Sequence, residues 1–282
     1  MNVTLWGTRG SLASPGPETS RYGGNTACVE VRGEDGALLV LDAGTGMRRL
    51  GVALGPEIRR VDVLLTHLHM DHIQGLGFFH PLFRPGLEVH IWGPSSTTLD
   101  LRSRLGRYLS PPLFPVQLRD LPSRVTLHDV PQGGFEVGGL TIRAALVCHP
   151  GPTMGYRISE GGKSFVYLAD HEPALGARSF PGQADWTSGY DLAEGADLLL
   201  HDCQYTAEEY TEHVGWGHSS IPQALAFAAL TAVKRLVTFH HDPDHDDLTL
   251  DRLVREARRS NDLPFQLIGG TEGASFQLQS DA

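Results

Sequence analysis

The chain has 282 residues, 40% of them hydrophobic, and a net charge of −10. That length allows a sizeable buried core. The charge disfavours non-specific binding to polyanions such as nucleic acid or an anionic membrane, and no apolar run reaches the roughly 20 residues needed to cross a bilayer.

A first strand is expected at 3–6, with no positively charged segment leading into an apolar one before it, so a cytoplasmic location is expected. Short apolar runs follow at 27–31, 37–41, 61–65, 87–92, 140–147, 164–168, 197–200, 235–239 and 275–278. Their length and β-branched content predict strands. Helices are predicted at 47–54, 97–109, 221–231 and 248–259, entered through polar residues such as Ser95, Ser96 and Ser220, with Pro222 in a first turn. Strands and helices mixed in this way point to two sheets with helices outside. The proline-rich stretch 108–116, preceded by Pro81, Pro85 and Pro94, reads as a rigid excursion, and 174–195 as a second loop. Neither is long or charged enough to stand alone, so one domain over 1–282 is expected.

The most informative segment is Thr66-His67-Leu68-His69-Met70-Asp71-His72, directly after the strand at 61–65. Three imidazoles and one carboxylate on a single turn would repel one another once protonated and need something that holds them neutral. A divalent cation does so, since imidazole nitrogen and carboxylate oxygen are the ligands of zinc and its first-row neighbours. Further ligands are then expected at strand ends. The run 142–149 ends in His149, 165–170 in Asp170 and 236–240 in His240. With His67, His69, Asp71 and His72 these make seven ligands, enough for two metal ions. Zinc, manganese and iron all suit such a donor set.

The pattern of a His-x-His-x-Asp-His turn, a later His, a later Asp and a final His, each after a strand, resembles the metallo-β-lactamase superfamily over nearly the full length. The resemblance implies an α/β (α+β) fold, the αββα sandwich of two mixed sheets with helices outside and metals at one edge. It assigns His67, His69 and His149 to a first metal, Asp71, His72 and His240 to a second, and Asp170 as the bridge. His241 competes with His240 for the last place. Asp42, closing 38–41, matches the family's early aspartate and is expected to orient ligands. Two-metal sites hydrolyse by lowering the pKa of a bridging water and neutralising charge on the group attacked.

Within the superfamily, residues 149–158 and 165–170 resemble the phosphodiesterase branch that contains RNase Z and small cyclic-phosphate diesterases. So does Leu198-Leu199-Leu200-His201-Asp202 followed by Gly215-Trp216-Gly217-His218-Ser219-Ser220. The carry-over gives a catalytic dyad of Asp202 and His218 beside the metals and Asp71, with Asp202 where RNase Z has Glu. A histidinium held by a carboxylate can protonate a leaving alkoxide. Binding a folded RNA leans on many Lys and Arg contacts, whereas this chain is acidic, with only Lys163 and Lys234 as lysines and arginine supplying the rest, and its candidate loops are short where RNase Z has a basic tRNA-binding arm. A small anionic phosphodiester, such as a cyclic nucleotide, a cyclic phosphate sugar or a short nucleotide end, is therefore the expected substrate, and tRNA and membrane are not expected partners. A homodimer stays open. The competing reading is a carbonyl hydrolase, a thioesterase or lactonase, using the same metals and leaving His218 without a role.

Two smaller features complete the chain. Asp242 and His245 either line the substrate mouth or form a plain turn before the last helix. Cys28, Cys148 and Cys203 are odd in number and lie in apolar runs, which predicts burial rather than a disulfide or zinc ribbon.

Overall fold

Runs of Val, Leu and Ile build two seven-stranded sheets in the computed structural model, which describes residues 1–131, 133–260 and 262–279. The first sheet contains β1 (Asn2–Gly7), β2 (Cys28–Arg32), β3 (Leu38–Leu41), β4 (Arg60–Leu64), β5 (Glu88–Gly93), β6 (Arg124–Asp129) and β14 (Ser275–Gln277) in the order β14-β1-β2-β3-β4-β5-β6. The second contains β7 (Phe135–Val137), β8 (Leu140–Leu146), β9 (Met154–Glu160), β10 (Lys163–Leu168), β11 (Leu198–Asp202), β12 (Arg235–Phe239) and β13 (Gln266–Gly269) in the order β13-β12-β11-β10-β9-β8-β7. Each sheet is half antiparallel and half parallel. Strands β3 to β6 pair in parallel, as do β10 to β13.

The faces of the two sheets meet in one apolar core. Val3, Leu5, Val29, Leu39, Leu41 and Leu64 come from the first sheet, and Ile142, Tyr156, Phe165, Tyr167, Leu200 and Phe239 from the second. The outer face of the first sheet packs under α1 (Gly46–Ala53), whose Met47 and Leu50 lie on Val40, Val63, Val89 and Ile91. The outer face of the second packs under α6 (Ile221–Leu230) and α7 (Asp247–Ser260), through Phe227, Ala228, Leu253 and Ala257 against Val166, Leu168, Leu199 and Leu236. This is the expected αββα layering. A strand buried on both faces tends to be apolar at successive positions, which is why β3 and the first three residues of β11 read as unbroken hydrophobic runs.

Several elements differ from expectation. The helix expected over 97–109 is only α3 (Leu101–Gly106), because Asp100, not Ser95 or Ser96, caps it by accepting from the Ser103 amide at 2.7 Å. The excursion at 108–116 folds back onto the metal-side turn. Tyr108 donates its hydroxyl to the Gln74 carbonyl at 2.6 Å, and Leu109 and Phe114 are buried. The loop over 174–195 carries a short helix, α4 (Tyr190–Ala193), seated by buried Leu192 and Ala193. Helix α2 (Met70–Ile73) lies inside the histidine-rich turn, and α5 (Ala207–His213) follows β11. Among the described residues no helix is long and apolar enough to cross a membrane.

Candidate metal centre

Apart from His149, the candidate ligands and their neighbours Asp42 and Asp202 sit at or just beyond the C-terminal end of a strand in the parallel half of a sheet, where such sheets gather functional groups. Asp42 follows β3, the His67–His72 turn follows β4, Asp170 follows β10, Asp202 ends β11 and His240 follows β12. His149 stands three residues past β8, in the loop leading to β9. Two layers of sheet thus deliver their strand ends to one edge of the sandwich.

Asp42 organises that edge. It is fully buried and accepts from the Thr66 amide at 2.7 Å, the Thr66 hydroxyl at 2.9 Å and the Tyr167 hydroxyl at 2.9 Å, while His72 Nδ1 lies 2.8 Å away. These bonds hold Asp42 at φ 56, an unusual conformation for a non-glycine residue. A carboxylate only accepts, so His72 donates from Nδ1 and turns the Nε2 lone pair inward. The Thr66 hydroxyl spends its proton on Asp42, so its oxygen accepts from His67 Nδ1 at 3.0 Å. His149 donates Nδ1 to the Gly217 carbonyl at 2.8 Å, and His240 donates Nδ1 to Gln204 Oε1 at 3.0 Å. Four rings are therefore fixed in one tautomer with Nε2 free to coordinate. His69 presents Nδ1 instead, 3.2 Å from His149 Nε2.

The donors fall into two sets. Ligand atoms of His67, His69, His149 and Asp170 lie within 4.8 Å of one another, and so do those of Asp71, His72 and His240. Asp170 faces both. Its Oδ2 is 3.6 Å from His67 Nε2 and 3.6 Å from His149 Nε2, and its Oδ1 is 3.0 Å from His72 Nε2 and 3.2 Å from His240 Nε2. Asp71 Oδ2 lies 3.2 Å from His72 Nε2 and 3.3 Å from His240 Nε2, and is steadied by the Ser11 amide at 2.9 Å.

A metal fits these residues on their own chemistry. His67 Nε2, His72 Nε2 and Asp170 Oδ1 are buried and have no hydrogen-bond partner of acceptable geometry, a costly state for polar atoms unless they coordinate. Burial and the neighbouring His72 push the His67 imidazole well below its usual range. Burial works against charge on Asp170 as well, yet His240, His72 and His67 together hold its carboxyl well below the ordinary carboxylate range. Burial opposes charge on His72, but Asp170, Asp71 and Asp42 outweigh it and raise that imidazole well above its usual range; a divalent cation would take the place of its proton and leave neutral rings around an ionised carboxylate.

His241 is removed from the competition for the last place. Its Nε2 is 2.9 Å from the Gly270 carbonyl and its ring meets Tyr22 edge-on, on the side away from the other donors. Burial lowers it to about 3. His240 reaches the cluster by adopting φ 56, and Gly10 gives it room, since a Cβ there would stand 2.3 Å from His240 Nδ1.

Beside the cluster, His218 Nδ1 is 2.7 Å from Asp202 Oδ2. The ring of His218 stacks on His240 at 4.9 Å and meets His149 at 5.0 Å. Asp202 is fully buried and pinned by the amides of His171 at 3.1 Å and Gln204 at 3.0 Å. Burial disfavours charge on His218, but Asp202 outweighs it and raises the imidazole to about 9. The shorter Asp side chain reaches the histidine directly.

His245 is buried and bonded to Glu209 at 2.9 Å, so it belongs to the turn and its link to α5 rather than to an open mouth. Asp242 stays near the site through the Gln204 amide at 3.4 Å. Cys28 and Cys203 are buried as expected. Cys148 is half-exposed, because β8 ends at Leu146 and the cysteine stands in the loop with its amide on Ser188 Oγ at 2.8 Å. Sequence reasoning missed Gln204, Thr66, Tyr167, Ser11 and Gly217, whose parts come from tertiary contact. Thr66, Gln204 and Gly217 carried a signal, standing one residue before His67, two after Asp202 and one before His218.

Two mixed sheets in an αββα sandwich with a His/Asp cluster at one edge are the architecture of the metallo-β-lactamase fold. Residues 38–241 match the beta-lactamase superfamily domain, and the chain belongs to that family. A ribonuclease Z from Mycobacterium sp. (strain KMS) is 29% identical over 261 residues, 86% of this chain and 85% of that protein. The solved structure of human tRNase Z, short form, superposes with a TM-score of 0.68 at 21% identity, covering 99% of this chain and 100% of that one. A diphosphatase from the PhnP family gives a TM-score of 0.68 at 19% identity, covering 99% and 98%.

Proposed function

We propose that this protein is a two-metal phosphodiesterase acting on a small phosphodiester. The observation that carries the reading is the Asp202–His218 pair, joined at 2.7 Å, with the His218 ring against both His149 and His240. In this reading His67, His69 and His149 would hold one divalent ion and Asp71, His72 and His240 the other, with Asp170, which faces both sets, available to both. Such ions, when bound, supply a water of lowered pKa and offset the charge of the phosphoryl group. The chain's own residues do the rest. Asp202 orients the His218 ring and keeps it protonated, and His218 Nε2 carries the proton that the departing alkoxide takes. Asp42, Thr66, Gln204 and Gly217 lock the ligand rings so that no reorganisation is needed.

Relatives named ribonuclease Z and a structural neighbour named as a diphosphatase support phosphorus chemistry. A small substrate is favoured over a folded RNA by the net charge of −10, and neither of the two lysines stands at the cluster. Lys163 opens β10 and Lys234 precedes β12, and both lie near Asp197, at 4.0 and 2.8 Å. That is the strand end opposite the cluster, roughly 17 Å away for a five-residue strand. The test is hydrolysis by the metal-loaded protein of bis(p-nitrophenyl) phosphate and a nucleotide panel against nitrocefin and acyl thioesters. Turnover of phosphodiesters alone is expected. Turnover of the thioester or lactam in preference would assign the site to carbonyl hydrolysis.

A further inference from the structure

Glu172 lies two residues past Asp170, is fully exposed to no solvent at 0%, and has no part in the site as described so far. A carboxylate taken out of water needs several donors around it. Its Oε1 accepts from the Gly215 amide at 3.0 Å, the Gly176 amide at 3.2 Å and the Tyr210 hydroxyl, and its Oε2 accepts from the Gly217 amide at 2.9 Å. Its own amide donates to the Cys148 carbonyl at 3.0 Å, one residue before His149.

The residues it grips are those that shape the site. Gly217 offers its carbonyl to His149 Nδ1, and the next residue is His218. Gly215 and Gly217 both stand at φ 87, a conformation open to glycine. A Cβ on Gly217 would lie 2.2 Å from Pro150 Cδ and 2.5 Å from His149 Nδ1, so the strip is pressed against the ligand loop with no slack. A glycine-rich strip of this kind has little stiffness of its own and must be held from outside.

We propose that Glu172 is a positioning residue of the centre, a buried clamp that fixes residues 215–218 so that the His218 ring meets Asp202. The inference rests on the role given to His218 above. A carboxylate suits the task because it only accepts. In Glu172→Gln one acceptor becomes an NH₂ facing an amide N–H, and part of the strip is released while the shape of the side chain is kept.

The test combines three readouts on the metal-loaded full chain. Hydrogen exchange of the Gly215 and Gly217 amides reads the clamp without reference to any substrate, and both should exchange at least tenfold faster in Glu172→Gln. Turnover across aryl and alkyl phosphodiesters reads the consequence. The variant should lose roughly 10- to 100-fold with an alkoxide leaving group, the scale of a small misplacement, and little with p-nitrophenolate. Combined with His218→Ala it should add almost nothing to the loss from His218→Ala alone, because both changes remove one function. Equal losses across leaving groups, or losses that multiply in the double variant, would overturn the positioning role. If the wild type turns over no phosphodiester, the proposed function fails while exchange still decides the clamp. Should the Gln variant fail to fold, Glu172→Asp, which keeps the charge but lacks the reach, is judged by the same readouts.

Discussion

At the scale of single residues, His218 separates this site from other hydrolases that use the same ligands. An imidazolium serving as general acid matters in proportion to the basicity of the leaving oxygen. His218→Ala should keep its metals yet lose roughly 10²–10⁴-fold in turnover with an alkoxide leaving group, and far less with p-nitrophenolate. Asp202→Asn should follow the same trend more weakly. A defect independent of leaving-group pKa would make His218 a structural residue. The pair also links stability to pH. Because the folded protein raises His218 from 6.5 to about 9, the stabilisation is fully present below pH 6.5 and is lost as pH rises towards 9, and it amounts to about 3 kcal/mol by linkage. Chelator-treated wild type compared with His218→Gln should show a melting-temperature gap that closes between pH 6.5 and 9. A gap that widens over that range would mean that the partner is not Asp202.

At the scale of elements, the ligand turn depends on close contact with the loop after β3. Gly75 donates its amide to the Ala43 carbonyl at 2.7 Å, and a Cβ on it would lie 2.0 Å from the Gly44 carbonyl oxygen. Gly75→Ala must push α2 away from Asp42. A cost of about 1–3 kcal/mol, the range for overpacking, is expected together with weaker metal uptake. An unchanged melting temperature would show that the turn has more freedom than the contact allows. The elements that could be read in advance were those buried on both faces, such as β3, β4, β11 and β12, where apolar residues predominate despite Asp62, His201, Asp202 and Thr238. Strand β6, with Arg124, His128 and Asp129, lies at a sheet edge and keeps polar side chains, so it gave no such run. Strand β9 carries Gly155, Arg157 and Glu160, and β13 spans only Gln266–Gly269. Helix α5 buries only Tyr210, which leaves no periodic apolar stripe to find.

At the scale of the whole molecule, the two sheets share one core but bring complementary ligands to a common edge, the first sheet Asp42 and residues 67–72, the second His149, Asp170 and His240. The seven donors were legible because metal-competent side chains recur at strand ends. Of the residues that orient them Asp42 was legible too, whereas Tyr167, which reaches Asp42 from the other sheet, was not. The account stands most directly on the number of metal ions per chain. Elemental analysis of carefully loaded protein should give two, and Asp170→Ala, which removes the carboxylate facing both sets, should retain no more than one and lose nearly all activity. One ion or none in the wild type, or two undisturbed ions in Asp170→Ala, would contradict it.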